Sequence, residues 1–300
     1  MPSMKTDVLS TRQVAQLLGV GEATIKRWAD AGEIDCFRTP GGHRKFRLRD
    51  LTAFVQVRDY DVAGPLPAPL PPGADEAGEA AVEHFESAAL RGDTAALVAQ
   101  LAAMRLRGYE LAELFDEVAA PALRRIGDRW AGSTLSVAEE HVASQAVIDA
   151  IARAQPLAEP PGEPVRPDRG VAVVAAAGGE QHDIAARMAA CLLRARGFEV
   201  LAPLAQTPAR DLAELLLRSR ASLVALCSTA PADLRAIEEQ LHLAAAAARQ
   251  TGAVLVVGGP GMERASLPAE ARLLGSLREL VAESDGAGRR RPRPEHNNGR

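Results

Sequence analysis

The sequence predicts a multidomain protein with a winged helix-turn-helix, a four-helix bundle and a doubly wound α/β domain around a parallel sheet. Three observations predict this. Two short helical segments precede a Pro-Gly-Gly hairpin, four amphipathic segments lie between proline-rich stretches, and apolar strand segments alternate with helical ones in the C-terminal half. The predicted boundaries are a head at 1–62, a linker at 63–76, a bundle at 77–157, a second linker at 158–169, a sheet domain at 170–284 and a disordered basic tail at 285–300.

Composition argues against several classes of protein. Of the 300 residues, 47% are hydrophobic, yet no apolar run approaches the roughly 18 residues that a membrane span needs. The N-terminus lacks the charged-then-apolar pattern of a secretion signal, so we expect a cytoplasmic protein. The three cysteines, Cys36, Cys191 and Cys227, include no Cys-x-x-Cys pair, which makes a zinc site or a disulfide framework unexpected.

The net charge of −4 conceals a basic head on an acidic body. Residues 1–60 carry 10 Lys and Arg against 7 Asp and Glu, whereas residues 61–284 carry 20 against 30. This asymmetry indicates that any nucleic acid is held by the head.

Two short helices around a tight turn are predicted near the N-terminus. Ser10 to Gln13 is a capping box that starts the first helix. The second spans about Glu22 to Ala31, with Ile25 and Trp28 facing inward. Such a pair is typical of a helix-turn-helix, whose second helix enters DNA. The candidate DNA-binding residues on that helix are Thr24, Lys26 and Arg27.

The segment from Phe37 to Arg47 predicts a β-hairpin wing. Residues 38–49 contain five Lys and Arg and no acid, a pattern typical of phosphate binding. The candidate DNA-binding residues are Arg38, His43, Arg44, Lys45 and Arg47. Residues 9–15, 25–28 and 38–44 together resemble the winged DNA-binding domain of the MerR superfamily, which implies double-stranded operator DNA as a partner. The alternative is a small helical protein-binding module.

The middle of the chain predicts four amphipathic helices. Their apolar positions include Phe85, Leu101 and Phe115, and Pro121 predicts a kink in the third helix. A capping box, Ser136 to Glu139, starts the fourth helix. The predicted inward stripe of that helix is Val137, Glu140/His141, Ser144, Val147/Ile148 and Ile151.

Two polar residues interrupt that stripe. Burying Glu140 and His141 is costly unless they meet polar partners, and Trp130 lies ten residues before Glu140 at the helix junction. Two interpretations are open. Either Glu140 and His141 form a solvated pair on the rim while Trp130 fills the core, or the three residues serve a binding site.

The sheet domain begins with a strand, a glycine-rich turn and a helix. The apolar run Val171 to Ala177 indicates a strand buried on both faces, and Ile184 to Arg196 indicates a helix. His182 therefore lies at the carboxyl edge of the predicted sheet, where open α/β folds bind ligands. We expect Glu180 to hydrogen-bond its imidazole. An exposed loop histidine without a role is the alternative.

Trp130, Glu140 and His141, followed by Glu180-x-His182, resemble the paired modules of cobalamin-binding proteins. In that family a helical cap carries a Trp-x9-Glu-His signature and covers the upper face of the corrin ring. A Rossmann-like domain supplies the lower cobalt ligand from an (Asp/Glu)-x-His-x-x-Gly motif. The resemblance implies that His182 is the cobalt ligand. It further implies cofactor-binding roles for Trp130, Val137, Glu140, His141, Glu180, Asp183, Ile184, Cys227, Ser228, Thr229, Gly258 and Gly259.

The chain departs from that family at three positions. Ala185 stands where the motif has glycine, Cys227 where the third strand has serine, and Ala131 where light-responsive members often carry a histidine. The last strand is faint, with only Ala271 to Gly275 available.

A MerR-type head on cobalamin modules resembles the light-responsive, cobalamin-dependent transcriptional repressors. The resemblance implies a regulator that is not an enzyme, adenosylcobalamin as the cofactor with methylcobalamin as an alternative, and a homo-oligomer, a dimer or tetramer, that light dissociates. A light-insensitive regulator with a drifted pocket is one competing hypothesis, and a corrinoid methyl carrier is another.

Overall fold

The computed structural model of the protein describes residues 8–18, 20–47, 50–51, 54, 75–159, 165–229 and 233–287. The chain divides into two compact units, Met1–Val165 and Arg166–Arg300. Most of the first predicted linker, residues 160–164 of the second, residues 288–300 of the tail, and the turn and wing positions Gly19 and Arg49 lie outside the described ranges. Within those ranges no helix combines the length and hydropathy of a membrane span.

The head is the predicted helix-turn-helix with a hairpin. Its elements are β1 (Val8–Ser10), α1 (Thr11–Leu18), α2 (Glu22–Asp30), β2 (Phe37–Arg38) and β3 (Arg44–Arg47). The predicted capping box is confirmed, since Gln13 N donates to Ser10 Oγ at 3.3 Å and Ser10 N donates to Gln13 Oε1 at 2.9 Å. Strand β1 was not predicted. It pairs antiparallel with β3, so the sheet has the order β1-β3-β2.

Side chains from both helices and the wing form the core of the head. Val14, Ile25 and Phe46 are fully buried. Trp28 is partly buried and packs against Phe54, with the ring centroids 5.1 Å apart. The predicted core role of Trp28 is therefore confirmed.

The four-helix bundle consists of α3 (Asp75–Leu90), α4 (Thr94–Leu106), a third helix in three parts, and α7 (Val137–Ala158). The third helix comprises α5 (Leu111–Leu114), a π-helical turn (Phe115–Ala119) and α6 (Ala120–Ala131). The predicted disruption near Pro121 takes the form of this π turn. Because Pro121 has no N–H to donate, the preceding backbone can widen, and Ala120 N donates to Phe115 O instead.

The helix α7 is longer than predicted. The bundle was expected to end at residue 157 and the linker to begin at 158, but the helix includes Ala158. The buried guanidinium of Arg105 explains this difference, because its Nε donates to the carbonyl oxygen of Leu157 at 3.0 Å and so satisfies a carbonyl in the last turn.

The second unit is a doubly wound parallel α/β domain, as predicted. Its elements are β4 (Val171–Ala176), α8 (Ile184–Ala195), β5 (Glu199–Leu204), α9 (Ala209–Ser219), β6 (Leu223–Cys227), α10 (Leu234–Thr251), β7 (Val254–Gly258), a short 3₁₀ turn (Met262–Arg264), β8 (Ala271–Leu274) and α11 (Leu277–Ala287). The sheet order is β5-β4-β6-β7-β8, with all described pairs parallel. The faint last strand is thus confirmed as β8.

Two apolar layers cover the sheet. In one layer, α9 and α10 pack on strand residues that point to the same face of the sheet, such as Val173. The helix residues in this layer include Leu212, Leu216, Ile237 and Leu241. The other joins residues of α8 and α11 to the opposite strand residues. The helix α11 runs to Ala287, past the predicted start of the tail at 285, because Asp285 is held by Arg169 and Arg196.

Candidate functional site

The outer face of α2 carries the side chains predicted to contact DNA. Lys26 and Arg27 are exposed, while Thr24 is partly buried. Ile25 faces the core with no exposed surface. The helical period of the sequence thus turns the two cations outward, as predicted.

The wing turn is closed by two backbone hydrogen bonds. Gly42 N donates to Thr39 O at 2.8 Å and Thr39 N donates to His43 O at 3.0 Å. Gly42 adopts a φ of +78°, which favours glycine. His43 and Arg47 are exposed beyond the turn, and the Arg47 guanidinium lies 5.5 Å from the ring centroid of Phe37.

Not every wing cation is equally available. The guanidinium of Arg44 donates to the carboxylate of Asp30 at the end of α2, and its side chain is only 17% exposed. Arg38 approaches the same carboxylate at 3.9 Å. Asp30, for which the sequence analysis predicted no role, joins the wing to the second helix and partly neutralises Arg44.

The bundle exposes apolar side chains near the α6–α7 junction. Trp130 is 46% exposed, Val137 55% and Val142 48%. The prediction that Val137 and His141 face inward is wrong. The buried stripe of α7 instead combines four alanines with three larger apolar residues, namely Ala143, Ala146, Val147, Ala150, Ile151, Ala154 and Leu157.

The two polar residues of the bundle signature differ in exposure. The side chain of Glu140 is 16% exposed and accepts a hydrogen bond from Ser144 Oγ at 2.5 Å. The side chain of His141 is 74% exposed, and its Nε2 lies 3.7 Å from Glu140 Oε2. The pair thus stands at the rim of the bundle. Trp130 does not fill the core, contrary to the first of the two interpretations.

The sheet order creates a crevice at the carboxyl edge of the second unit. From β4 the chain crosses to β5 on one side of β4, and it then returns to β6 on the other side of β4. The direction in which strands are added to the sheet therefore reverses between β4 and β6. Ligands of open α/β folds bind at such a switch point. The loops that line it are 177–183 after β4 and 228–229 after β6.

Glu180 joins these two loops. Its side chain is 2% exposed. Its carboxylate accepts hydrogen bonds from the backbone N–H of Thr229 at 2.8 Å and from the Thr229 hydroxyl. The expected hydrogen bond to His182 is absent from the described contacts, because Glu180 Oε1 lies 3.8 Å from His182 Nδ1. The hydrogen bonds that the carboxylate accepts come instead from Thr229 on the neighbouring loop.

The imidazole of His182 is 56% exposed. Within the described residues its nearest charged group is the Glu180 carboxylate, and no hydrogen bond to it is found. An imidazole in this state keeps a nitrogen lone pair for a ligand or a metal.

Asp183 and Ile184 follow His182 at the start of α8. Both carboxylate oxygens of Asp183 are engaged by Arg187, at 2.8 Å from Nε and 2.7 Å from Nη2. The spacing of four residues, typical of a helical ion pair, was a signal in the sequence. Ile184 is buried, at 9% exposure.

The end of β6 combines a thiol with a buried hydroxyl. Desolvation raises the pKa of the Cys227 thiol to about 12, and the Glu180 carboxylate adds to the rise. Ser228 has no exposed surface, and its Oγ has no hydrogen-bond partner among the described residues.

The glycines after β7 serve the packing of the domain itself. A Cβ on Gly259 would overlap the carbonyl of Ser228, and one on Gly261 would overlap the Ser228 hydroxyl. Gly258 has ordinary space around it. The close approach of Ser228 by itself requires glycine at 259. The cofactor-binding role that the resemblance implies for Gly259 stays a prediction.

The crevice has features that suit a cobalt corrinoid. It presents the accessible imidazole of His182, a donor suited to cobalt. This side chain fits a cofactor that needs one axial nitrogen ligand. The hydroxyl of Ser228, unpartnered among the described residues, is buried against Gly261.

Comparisons with known proteins agree with this description of the fold. Residues 8–58 match a helix-turn-helix domain model, and residues 81–155 and 170–272 each match a B12 binding domain model. A DNA-binding head on two B12-binding modules defines the class of cobalamin-binding transcriptional regulators.

The particular family follows from a relative. Over 250 residues the chain is 31% identical to the HTH-type transcriptional repressor CarH of Myxococcus xanthus. The aligned region covers 76% of this chain and 81% of the relative. The chain belongs to the family of CarH-type, cobalamin-binding transcriptional repressors. It is also 34% identical over 83 residues to the transcriptional repressor DcmR of Methylorubrum extorquens, covering 27% of this chain and 31% of that one.

A solved structure shares the fold. The monomethylamine corrinoid protein of Methanosarcina barkeri superposes with a TM-score of 0.54 at 13% identity, covering 69% of this chain and 98% of that chain. This likeness concerns the fold alone.

Proposed function

We propose that this protein is a light-responsive repressor that binds adenosylcobalamin, with His182 as the lower cobalt ligand. The observation that carries the proposal is the accessible imidazole of His182 at the switch point of the sheet, in a loop whose neighbouring residues are held by hydrogen bonds. Bound adenosylcobalamin supplies a cobalt–carbon bond that light cleaves.

His182 must offer a neutral nitrogen to act as ligand. Its 56% exposed side chain supports this role, because an imidazole in water is not committed to a partner within the protein. Asp183 and Ile184 hold the start of α8, and Cys227, Ser228, Thr229 and Gly258 are the proposed neighbours of the cofactor on the β6 and β7 side.

The upper face of the cofactor is proposed to contact the bundle signature. Trp130, which is 46% exposed, offers an apolar surface to an adenosyl group, and the exposed His141 offers a polar group. Glu140, with Ser144 on one carboxylate oxygen, offers its other oxygen to a ribose hydroxyl. Val137 extends the apolar surface.

Double-stranded operator DNA is the proposed partner of the head. Lys26, Arg27, Lys45 and Arg47 supply the phosphate contacts, while Arg44 acts through Asp30. We propose a homo-oligomer in the dark, since several linked heads raise the effective concentration at repeated sites. Loss of the adenosyl group removes contacts to the bundle and so favours another state of the oligomer.

A titration of adenosylcobalamin tests the ligand assignment. We expect His182→Ala to weaken binding at least tenfold. His242→Ala, which changes an exposed histidine on α10, is the matched control and keeps the wild-type affinity. Equal affinity of His182→Ala and the control contradicts the assignment.

Light response is tested separately. Protein loaded with adenosylcobalamin is compared in the dark and after illumination by absorbance, size exclusion and an operator gel shift. We expect illumination to reduce the oligomer and the shifted DNA. The same elution and shift in both conditions would leave a cobalamin-responsive repressor without a photoreceptor role.

The second candidate function is a light-insensitive cobalamin sensor. Ala131 favours it, because an alanine next to Trp130 cannot coordinate cobalt after the adenosyl group leaves. A corrinoid methyl carrier is the third hypothesis, and the helix-turn-helix match at 8–58 argues against it.

A further inference from the structure

The loop that carries His182 rests directly on α10. Gly178, the second residue of the loop, is buried and has a φ of +68°. A Cβ at this position would overlap the side chain of Ile237. The chain therefore passes too close to α10 for any residue but glycine, and the loop begins from a fixed point.

The buried side-chain amide of Gln240 on α10 binds the backbone of Gly178. The backbone N–H of Gly178 donates to Oε1 of Gln240 at 2.8 Å, and Gln240 is 2% exposed. Its other end is also used, since Nε2 donates to the carbonyl oxygen of Thr207 at 3.3 Å. Gln240 thus joins the loop after β4 to the loop after β5.

The loop after β5 is itself constrained. Leu204 and Gln206 adopt positive φ values of 64° and 56°, unusual for residues with a side chain. Such conformations persist only when the surroundings hold them. The Gln240 amide, bonded to Thr207 next to them, is one such constraint.

The position of His182 depends on the backbone of its loop. The imidazole forms no hydrogen bond within the described residues, so it is not held by a partner of its own. The loop is held at the backbone N–H of Gly178 by Gln240, at the carboxylate of Glu180 by Thr229 and at the carboxylate of Asp183 by Arg187. Loss of the first of these frees the stretch that leads to the imidazole.

We propose that Gln240 is a positioning residue that sets where the His182 imidazole stands at the edge of the sheet. This inference rests on the proposed function, in which His182 is the lower cobalt ligand. Gln240 does not touch the cofactor in this proposal. It acts through Gly178, and it couples the histidine loop to the loop at Thr207.

The experiment uses full-length protein labelled with ¹⁵N, loaded with aquocobalamin and reduced to the cobalt(II) state. Electron paramagnetic resonance then reports the axial nitrogen, because a ¹⁵N from the protein splits the signal into doublets and a ¹⁴N from the cofactor's own base splits it into triplets. We expect doublets for the wild-type protein. We expect Gln240→Met, which keeps the length but not the hydrogen bonds, to lose at least half of the doublet intensity.

Two controls separate positioning from folding. Gln250→Met changes an exposed glutamine on the same helix and keeps the full doublet. Cobalamin bound per chain and the apo melting temperature are measured for every variant. A Gln240→Met protein that is folded, binds cobalamin and keeps the full doublet overturns the proposal. A wild-type protein that binds cobalamin without doublets overturns the ligand assignment of His182 itself.

Gln240→Glu tests the proposal without removing the shape of the side chain. A protonated carboxyl group accepts from Gly178 and donates to Thr207, whereas an ionised one cannot donate. Because either form keeps an oxygen that accepts from the Gly178 N–H, Gln240→Glu should keep more of the doublet at pH 5.5 than Gln240→Met does. Equal losses of the doublet in the two folded variants contradict the proposal.

Discussion

The carboxylate of Glu180 accepts two hydrogen bonds from Thr229, one from the backbone N–H at 2.8 Å and one from the hydroxyl. This contact joins the loop after β4 to the loop after β6 across the switch point of the sheet. It places a buried charge next to the candidate cobalt ligand and makes the geometry of the crevice depend on one threonine.

The first prediction concerns that threonine. Thr229→Val removes the hydroxyl that donates to a carboxylate only 2% exposed. Hydrogen bonds to buried charged groups matter most, so we expect a loss of about 1–3 kcal/mol in the free energy of unfolding. Urea denaturation measures it. Thr251→Val, at the end of α10, is the control and should change stability by less than about 0.5 kcal/mol; equal effects of the two would contradict the prediction.

The sequence predicted the fold because its local signals agree with one another. The buried run from Val171, the glycines at 178–179 and the helix from Ile184 each indicate the same βα unit, and the structure has it. The capping boxes at Ser10 and Ser136 were equally local, since each involves residues three apart.

The contacts that shape the site were harder to predict because they join distant parts of the chain. Glu180 and Thr229 are 49 positions apart, and Gly178 and Gln240 are 62. One signal was present for Gln240, which occupies a position in the apolar stripe of Ile237, Leu241 and Ala244. A polar residue there requires a partner, but the periodicity does not say which. For the same reason the sequence analysis predicted that Glu180 would hydrogen-bond its neighbour His182, whereas in the structure it accepts from Thr229.

The second prediction follows from the Cys227 thiol, whose pKa burial raises from 9.0 to about 12. Below pH 9 the thiol is neutral in both folded and unfolded protein. Between about pH 9 and pH 12 it ionises only when unfolded, so stability is lost as pH rises. Between pH 8 and pH 10.5 we expect Cys227 to account for a loss of at most about 2 kcal/mol. Urea denaturation of Cys227→Ala should show a correspondingly smaller decrease, whereas Cys36→Ala should follow the wild type.

The third prediction concerns Asp285 of α11. Desolvation opposes its ionisation, but a hydrogen bond from Arg169 and the charge of Arg196 outweigh it and lower the pKa of the carboxyl group. The stability that results is present above the ordinary pKa of 3.8 and is lost as pH falls through the lowered value. We expect Asp285→Asn to lower the free energy of unfolding by about 1 kcal/mol at pH 7. As the pH falls, this variant should then lose less stability than the wild type, as urea denaturation over a pH series would show. Asp211→Asn, an exposed change on α9, is the control and should lose stability on acidification as the wild type does.

The fourth prediction separates the wing cations. Arg47 is exposed, whereas Arg44 is paired with Asp30. Arg47→Ala should lower operator affinity and reduce the slope of log affinity against log salt by about 1, because one phosphate contact is lost. Fluorescence anisotropy over a salt series measures the slope, with Arg249→Ala in the sheet domain as the control. A slope unchanged by Arg47→Ala would place that side chain outside the DNA interface.

The fifth prediction concerns Trp130, which exposes 46% of its surface. An exposed tryptophan offers a large, rigid apolar face to a ligand. If Trp130 contacts the upper substituent of the cofactor, Trp130→Ala should lower affinity for adenosylcobalamin about tenfold, which corresponds to about 1.4 kcal/mol. The loss should be much smaller for methylcobalamin, whose upper group presents far less surface. Val142→Ala, 48% exposed on α7, is the matched control for a general effect on the bundle. Equal losses for the two cofactors would mean that Trp130 acts through the bundle and not on the adenosyl group.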